Sequence, residues 1–152
     1  MSCSTFLKVS ELNRYNRQMR LPEVGKEGQE KLKGASVVVI GAGALGCPVL
    51  QYLAAAGIGT LGIVDNDWVD ESNLNRQVLY GVKDLDKPKP VAAREKLLLS
   101  NPEIRIVPHY IRFNRETALN IIRDYDLVVD CSDNFATRYL INDAAVLQNK
   151  PV

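Results

Sequence analysis

The run Ser36-Val37-Val38-Val39-Ile40 passes straight into Gly41-Ala42-Gly43-Ala44-Leu45-Gly46, and this junction restricts the possible folds more than any other feature of the chain. An uninterrupted β-branched run is apolar on both of its faces. A strand of that kind needs cover on both sides, as the strands of a parallel sheet have. The glycines then allow a tight turn, a close approach of a ligand to the backbone, and tight packing of helix on strand. A helix is expected from Ala44 to Ala56, closed by Gly57. Strand, glycine turn and helix in that order imply an α/β fold with a Rossmann-like parallel sheet.

The remaining sequence extends the same alternation. Thr60–Val64 reads as a second strand leading to Asp65. A polar, punctuated stretch covers 66–88, and a helix is expected from Pro90 to about Ser100, with proline in its first turn. Ile104–Val107 and Asp126–Cys131 read as strands, and Glu116–Arg123 and Ala136–Gln148 as helices. Ahead of the sheet, 1–10 is expected to be a mobile tail. Ser10 is placed to cap a helix from Glu11 to Met19, and 27–33 forms a second short helix closed by Gly34. The expected division is a tail and helical arm over 1–34 and a nucleotide-binding Rossmann-like domain over 35–152. Pro151–Val152 has the character of another strand's beginning, so the chain is expected to be cut short at its C-terminus.

Composition excludes several functions. The formal net charge is +1 over 152 residues, so bulk electrostatics favour neither nucleic acid nor an anionic membrane. No apolar run approaches the roughly 20 residues of a membrane span. The N-terminus has no apolar core of a signal peptide. Cys3, Cys47 and Cys131 are odd in number and far apart, which suits a reducing cytoplasm better than a disulfide framework.

Three segments carry chemistry. The glycine turn would set a phosphate or ribose at a helix N-terminus. Asp65, 19 residues beyond Gly46 and at a strand tip, is where a carboxylate accepts hydrogen bonds from ribose hydroxyls. The loop from Asp65 to Gln77 then supplies Asn73, Arg76 and Gln77, with Lys89 downstream. Two cations at a nucleotide pocket suit a triphosphate under substitution better than hydride transfer, although each alone reads equally as a solvated surface charge. The third segment is Asp130-Cys131-Ser132-Asp133-Asn134, at another strand tip. There Asp133 can hold Mg²⁺ as a hard oxygen ligand, and Ser132, Asp133 or Asn134 can cap the helix that follows.

Taken in order, RYNRQ (from Arg14), GAGALG, VDND, SNLNRQ, KPK and DCSDN resemble the ThiF/MoeB/HesA family, relatives of the ubiquitin-activating enzymes. The resemblance runs from Arg14 to the last residue, about nine-tenths of the chain. It implies adenylation by ATP of the C-terminal glycine carboxylate of a ubiquitin-like sulfur carrier protein, of the thiamine or molybdopterin type. The products would be an acyl-adenylate and pyrophosphate. Gly41, Gly43 and Gly46 would cradle the nucleotide and Asp65 would hold the ribose. Asn73, Arg76 and Lys89 would contact the ATP phosphates, and Asp133 would bind Mg²⁺. Arg17 would reach into the site of a second copy in a homodimer. Members of the family continue for about another hundred residues, in which two C-x-x-C pairs bind zinc; zinc is therefore expected only beyond this chain.

The sequence departs from the family at Asp86, where glycine is usual before the K-P-K segment. His109, the only histidine, is read as structural, and Cys47 and Cys131 as packing. Trp68 is read as covering the sheet edge in preference to stacking on the nucleotide, and the KDLDKPK segment as a solvated loop apart from Lys89. Two other functions remain compatible with parts of the pattern. An NAD(P)-dependent oxidoreductase rests on the glycine turn and Asp65 alone. A non-catalytic subunit would dimerise and supply Arg17 to an active partner.

Overall fold

Val38 and Val39 are adjacent and both fully buried, so the strand that carries them has a core on each side. The computed structural model describes residues 6–152; the first half of the expected tail, and Cys3 with it, lie outside the described residues. The strands are β1 (Ser36–Ile40), β2 (Thr60–Asp65), β3 (Arg105–Tyr110) and β4 (Leu127–Asp130). They form a single parallel sheet in the order β3-β2-β1-β4. Among the described residues seven α-helices accompany them: α1 (Val9–Arg14), α2 (Asn16–Met19), α3 (Gly25–Gly34), α4 (Gly46–Ala56), α5 (Lys89–Ser100), α6 (Ala118–Arg123) and α7 (Phe135–Leu147). This is the Rossmann-like α/β fold expected, with a helical N-terminal extension.

Side-chain alternation divides the core in two. Val37 and Val39 of β1 pack with Leu61 and Ile63 of β2 against Leu50 and Ala54 of α4 and Leu97 of α5. Val38 and Ile40 point the other way, into Ile121 and Ile122 of α6 and Ile141 of α7. Neighbouring residues of one strand thus serve opposite layers, which accounts for the lack of polar alternation in the sequence.

Several boundaries differ from expectation, each for a local reason. The helix expected from Glu11 to Met19 is two helices, because the chain turns at Tyr15 (φ −95°, ψ 8°), whose side chain is buried. Ser10 does not cap it. Glu11 reaches back to the Lys8 N–H at 2.8 Å, and the Ser10 hydroxyl donates to Glu103 instead. The helix after β1 starts at Gly46, two residues late, because Gly41–Leu45 is used by the turn itself. The helix expected from Glu116 starts at Ala118. Here the Asn114 carboxamide oxygen accepts the N–H groups of Glu116 (3.0 Å) and Thr117 (3.1 Å) and holds both in a turn. β3 continues three residues past Val107, so His109 lies within a strand, opposite Val64. Pro108 is tolerated because β3 is an edge, where a missing N–H breaks no ladder. Residues 66–88 include two short 3₁₀ turns, Glu71–Asn73 and Val82–Asp84. The KDLDKPK segment is not simply solvated: Asp84 is buried, accepts the Gly81 N–H at 2.9 Å and pairs with Lys96 at 2.8 Å.

Candidate active site

In the order β3-β2-β1-β4 the chain winds outward in one direction from β1 and then returns to its other side, so β1 and β4 border a topological switch point. Ligands of open α/β sheets bind beyond the carboxyl ends of the strands at such a point. A cleft of about 1150 Å³ lies there. It is walled by the tips of β1, β2 and β4, by the loop after β2, by the segment after β3 and by the first turns of α7.

The glycine turn forms its floor. Gly41 has φ +99°, a conformation L side chains avoid, and a Cβ there would stand 2.6 Å from the Cys131 carbonyl oxygen at the tip of β4. A Cβ on Gly46 would lie 2.0 Å from the Gly41 oxygen, so the turn can close on the start of α4 only without one. Gly41 and Gly43 line the cleft, while Gly46 is buried behind them. Two further groups secure the turn. The Asp65 carboxylate accepts the Ala42 N–H at 2.8 Å and the Asp67 N–H at 2.8 Å, and the Tyr80 hydroxyl donates to the Ala42 carbonyl at 2.9 Å. Burial raises the Tyr80 phenol pKa, which keeps it a neutral donor.

The cations of the cleft differ in setting. Lys89, read from sequence as equally a surface charge, is buried at the first residue of α5. Its side chain is 4% exposed, and its Nζ lies 3.0 Å from an Asp67 carboxylate oxygen. Arg76 is exposed, with its guanidinium donating to the Ser72 carbonyl and the Asn75 side chain, both at 3.1 Å. Asn73 is oriented by Gln77, whose amide donates to the Asn73 Oδ1 at 2.7 Å. Gln77 is itself buried, and its Oε1 has no hydrogen-bond partner among the described residues.

At the tip of β4 the structure separates capping from the free carboxylate. Asn134 caps α7, its Oδ1 accepting the Thr137 N–H at 2.9 Å. Asp130 accepts the Ser132 N–H and hydroxyl at 2.8 and 2.6 Å. Asp133 is exposed on the cleft wall, with an edge contact of 3.3 Å from the Asn134 amide. Its carboxylate is thus not used by the helix. A hard oxygen donor facing an open cleft is the chemistry Mg²⁺ requires when the remaining ligands are phosphate oxygens and water.

Eight of the nine residues singled out from the sequence therefore meet at one place: seven line the cleft and Gly46 backs it. Arg17 does not. It is exposed on α2, and the neighbouring Gln18 donates to the Ala56 carbonyl at the C-terminal end of α4. The cleft is at the other end of that 11-residue helix, roughly 16 Å away at 1.5 Å per residue. Four contributions had not been singled out from the sequence: Asp67, Tyr80, and the lining arginines Arg112 and Arg115. Asp67 carried a signal, as the second acid of VDND. The others depend on how distant segments pack.

The remaining residues behave as read. Cys131 is buried, its thiol pushed up to about 11 by burial and by the neighbouring Asp130, and burial likewise raises Cys47. Neither is a ready thiolate at neutral pH. Trp68 lies edge-on to Tyr110 of β3, 5.9 Å between ring centroids, and covers the sheet edge. Asp86 has φ +59°, a left-handed conformation that glycine adopts freely and that aspartate tolerates better than most residues.

A family model described as ThiF family matches residues 15–152. The chain is 60% identical over 142 residues to the sulfur carrier protein adenylyltransferase of Thermus thermophilus, covering 93% of this chain and 52% of that protein. It is 53% identical over 145 residues to a probable adenylyltransferase/sulfurtransferase, MoeZ, of Mycobacterium tuberculosis, covering 95% of this chain and 37% of that one. The crystal structure of E. coli MccB with ATP superposes with a TM-score of 0.80 at 33% identity, covering 91% of this chain and 42% of that chain. The chain thus spans about half, or less, of the length of these proteins.

Proposed function

The chain belongs to the ThiF family, and from that premise we propose that it is the ATP-binding part of an enzyme that adenylates the C-terminal carboxylate of a ubiquitin-like sulfur carrier protein. One observation supports this most: the buried Lys89 ammonium, the uncommitted Asp133 carboxylate and the glycine turn all face a single cleft at the sheet's switch point. Hydride transfer to or from a nicotinamide gives the first two no task. The name of the Thermus relative and the ATP bound to MccB point the same way.

In the proposed reaction an oxygen of the carrier's terminal carboxylate attacks the α-phosphorus of ATP. A carbon-linked P–O bond forms, the bond to the β-phosphate oxygen breaks, and pyrophosphate leaves with the electron pair. The nucleophile is already an anion, so no general base is required. Catalysis then consists of alignment and of offsetting charge that moves toward the leaving group. Asp65, fixed by two backbone N–H groups, holds the ribose. Asn73, set by Gln77, and the forked guanidinium of Arg76 grip phosphate oxygens. Lys89 supplies a fixed positive charge, because Asp67 and the α5 packing leave it little freedom to move. Asp133 would hold Mg²⁺, which when bound neutralises phosphate charge. Arg17 serves the site of a second copy, since it lies at the far end of α4 from its own cleft. We further assign 1–34 as the N-terminal tail and helical arm, 35–152 as the nucleotide-binding domain, the cytoplasm as the compartment, and thiamine or molybdopterin sulfur transfer as the pathway class.

The test is carrier-dependent exchange of labelled pyrophosphate into ATP by the full-length protein. Exchange that appears only with a carrier ending in a free glycine carboxylate is expected. Tight ATP binding with no exchange for carriers of either pathway class would sink the proposal.

A further inference from the structure

The motif Arg14-Tyr15-Asn16-Arg17-Gln18 supplies one residue to the proposed chemistry, and the packing of its neighbours assigns them a separate task. Tyr15 is 2% exposed, and its hydroxyl accepts from the Asn101 amide at 2.8 Å. The same amide donates to the Ala54 carbonyl at 2.7 Å. The Gln18 and Gln29 amides both donate to the Ala56 carbonyl at 2.9 Å, and Gln18 donates in addition to the Gln29 Oε1. Gln29 is fully buried. Arg14 donates to the Ser100 carbonyl at 2.9 Å.

These contacts share a cause. The last carbonyls of a helix have no partner within it. At the end of α4 the Ala56 carbonyl is met by side chains from α2 and α3, and the Ala54 carbonyl, which also accepts the Gly57 N–H at 3.2 Å, by Asn101 just past α5. Gly57 leaves the space: a Cβ there would lie 2.5 Å from the Tyr15 ring and 2.8 Å from the Gln29 amide. Arg17 is thus bracketed by two anchored residues, Tyr15 and Gln18, while remaining exposed itself. Carboxamide hydrogen bonds are directional, so they fix the rotation of a four-residue helix in a way apolar contact alone does not.

We propose that Tyr15, Gln18 and Gln29 are positioning residues: they lock α2 onto the C-terminal end of α4 so that Arg17 is presented at a fixed place to the site of a second copy. This rests on the trans reading of Arg17 given above. A catalytic group displaced by about 1 Å can lose as much as 100-fold in rate, so the arm's register is worth fixing even though the arm is remote from its own cleft.

The experiment is a double-mutant cycle in the full-length protein with its carrier. Tyr15→Phe and Gln29→Leu are made singly and in combination with Arg17→Ala, and pyrophosphate exchange and melting temperature are measured. Each single positioning variant is expected to stay folded and to lower kcat about tenfold with KM for ATP held within about twofold. In the Arg17→Ala background each is expected to add no further loss, which a merely structural role would not produce. Losses that multiply onto Arg17→Ala, or an unchanged kcat in both single variants, overturn the positioning role. If Gln29→Leu does not fold, Tyr15→Phe carries the cycle, since it removes one oxygen and leaves Asn101 its bond to Ala54. Mixing Arg17→Ala subunits with Lys89→Met subunits distinguishes failure of the premise. Recovered exchange supports action across copies, and none overturns the trans reading together with the inference built on it.

Discussion

At the scale of single residues, Lys89 and Asp86 show how environment changes what a residue type means. A lysine buried to 4% exposure beside one carboxylate is held at a defined point, whereas a surface lysine samples many. Lys89→Met keeps the buried stem and removes the charge. It is expected to leave the far-ultraviolet circular dichroism unchanged and to slow pyrophosphate exchange by about 100-fold or more, the range for removal of one preorganised charge-stabilising group. A loss under about threefold would show that the charge serves only Asp67. Asp86 makes the opposite point, that a local strain can persist where a loop demands it. Its φ of +59° favours residues without a Cβ, so Asp86→Gly is expected to raise stability by about 0.5–1 kcal/mol and Tm by about 1–3 °C. A fall in Tm on thermal denaturation would mean that the aspartate side chain contributes more than its backbone strain costs.

At the scale of elements, the start of α7 carries two functions on adjacent residues. Asn134 caps the helix and Asp133 faces the cleft, so the two are separable by substitution. Asn134→Ala is expected to cost about 1 kcal/mol in urea unfolding with exchange activity nearly intact. Asp133→Asn is expected to do the reverse, with stability unchanged and exchange lost or made to need far more Mg²⁺. If Asp133→Asn is as destabilising as the cap variant and retains its activity, the carboxylate is structural. The strand–turn–helix elements themselves were legible because their determinants are local. Val37–Ile40 is apolar on both faces, Gly41 needs its positive φ, and the left-handed Gly57 (φ +86°) ends α4. The missed boundaries were not legible for the complementary reason. Tyr15 breaks a helix to reach Asn101, 86 residues away, and the onset of α6 depends on how Asn114 spends its carboxamide.

At the scale of the whole molecule, the sheet brings together groups that have no sequence signal as a pair. Half-buried His109 of β3 and buried Tyr125 ahead of β4 meet at 2.8 Å across the face of the sheet, the tyrosine ring lying over Gly62 of β2. Burial lowers the His109 pKa below its usual range, so the folded state prefers the neutral imidazole. The unfolded chain therefore binds the proton more tightly. The corresponding stability is complete above about pH 6.5 and is lost as pH falls through the depressed folded value. Urea midpoints measured at about pH 7.5 and about pH 5.5 are expected to fall more for the wild type than for His109→Gln, which hydrogen-bonds without titrating. Equal falls would show that the imidazole does not report on folding.

Sequence alone determined the parallel α/β class, the glycine turn, and eight of the residues that meet at the cleft, because strand burial, positive φ and motif spacing are encoded within a few residues of one another. Tertiary structure alone decided three things: that Lys89 is buried and paired with Asp67, that Asn134 and not Asp133 caps α7, and that Arg17 lies an entire helix length from its own cleft. Burial, pairing and distance are relations between segments far apart in the chain, and no short stretch of sequence contains them.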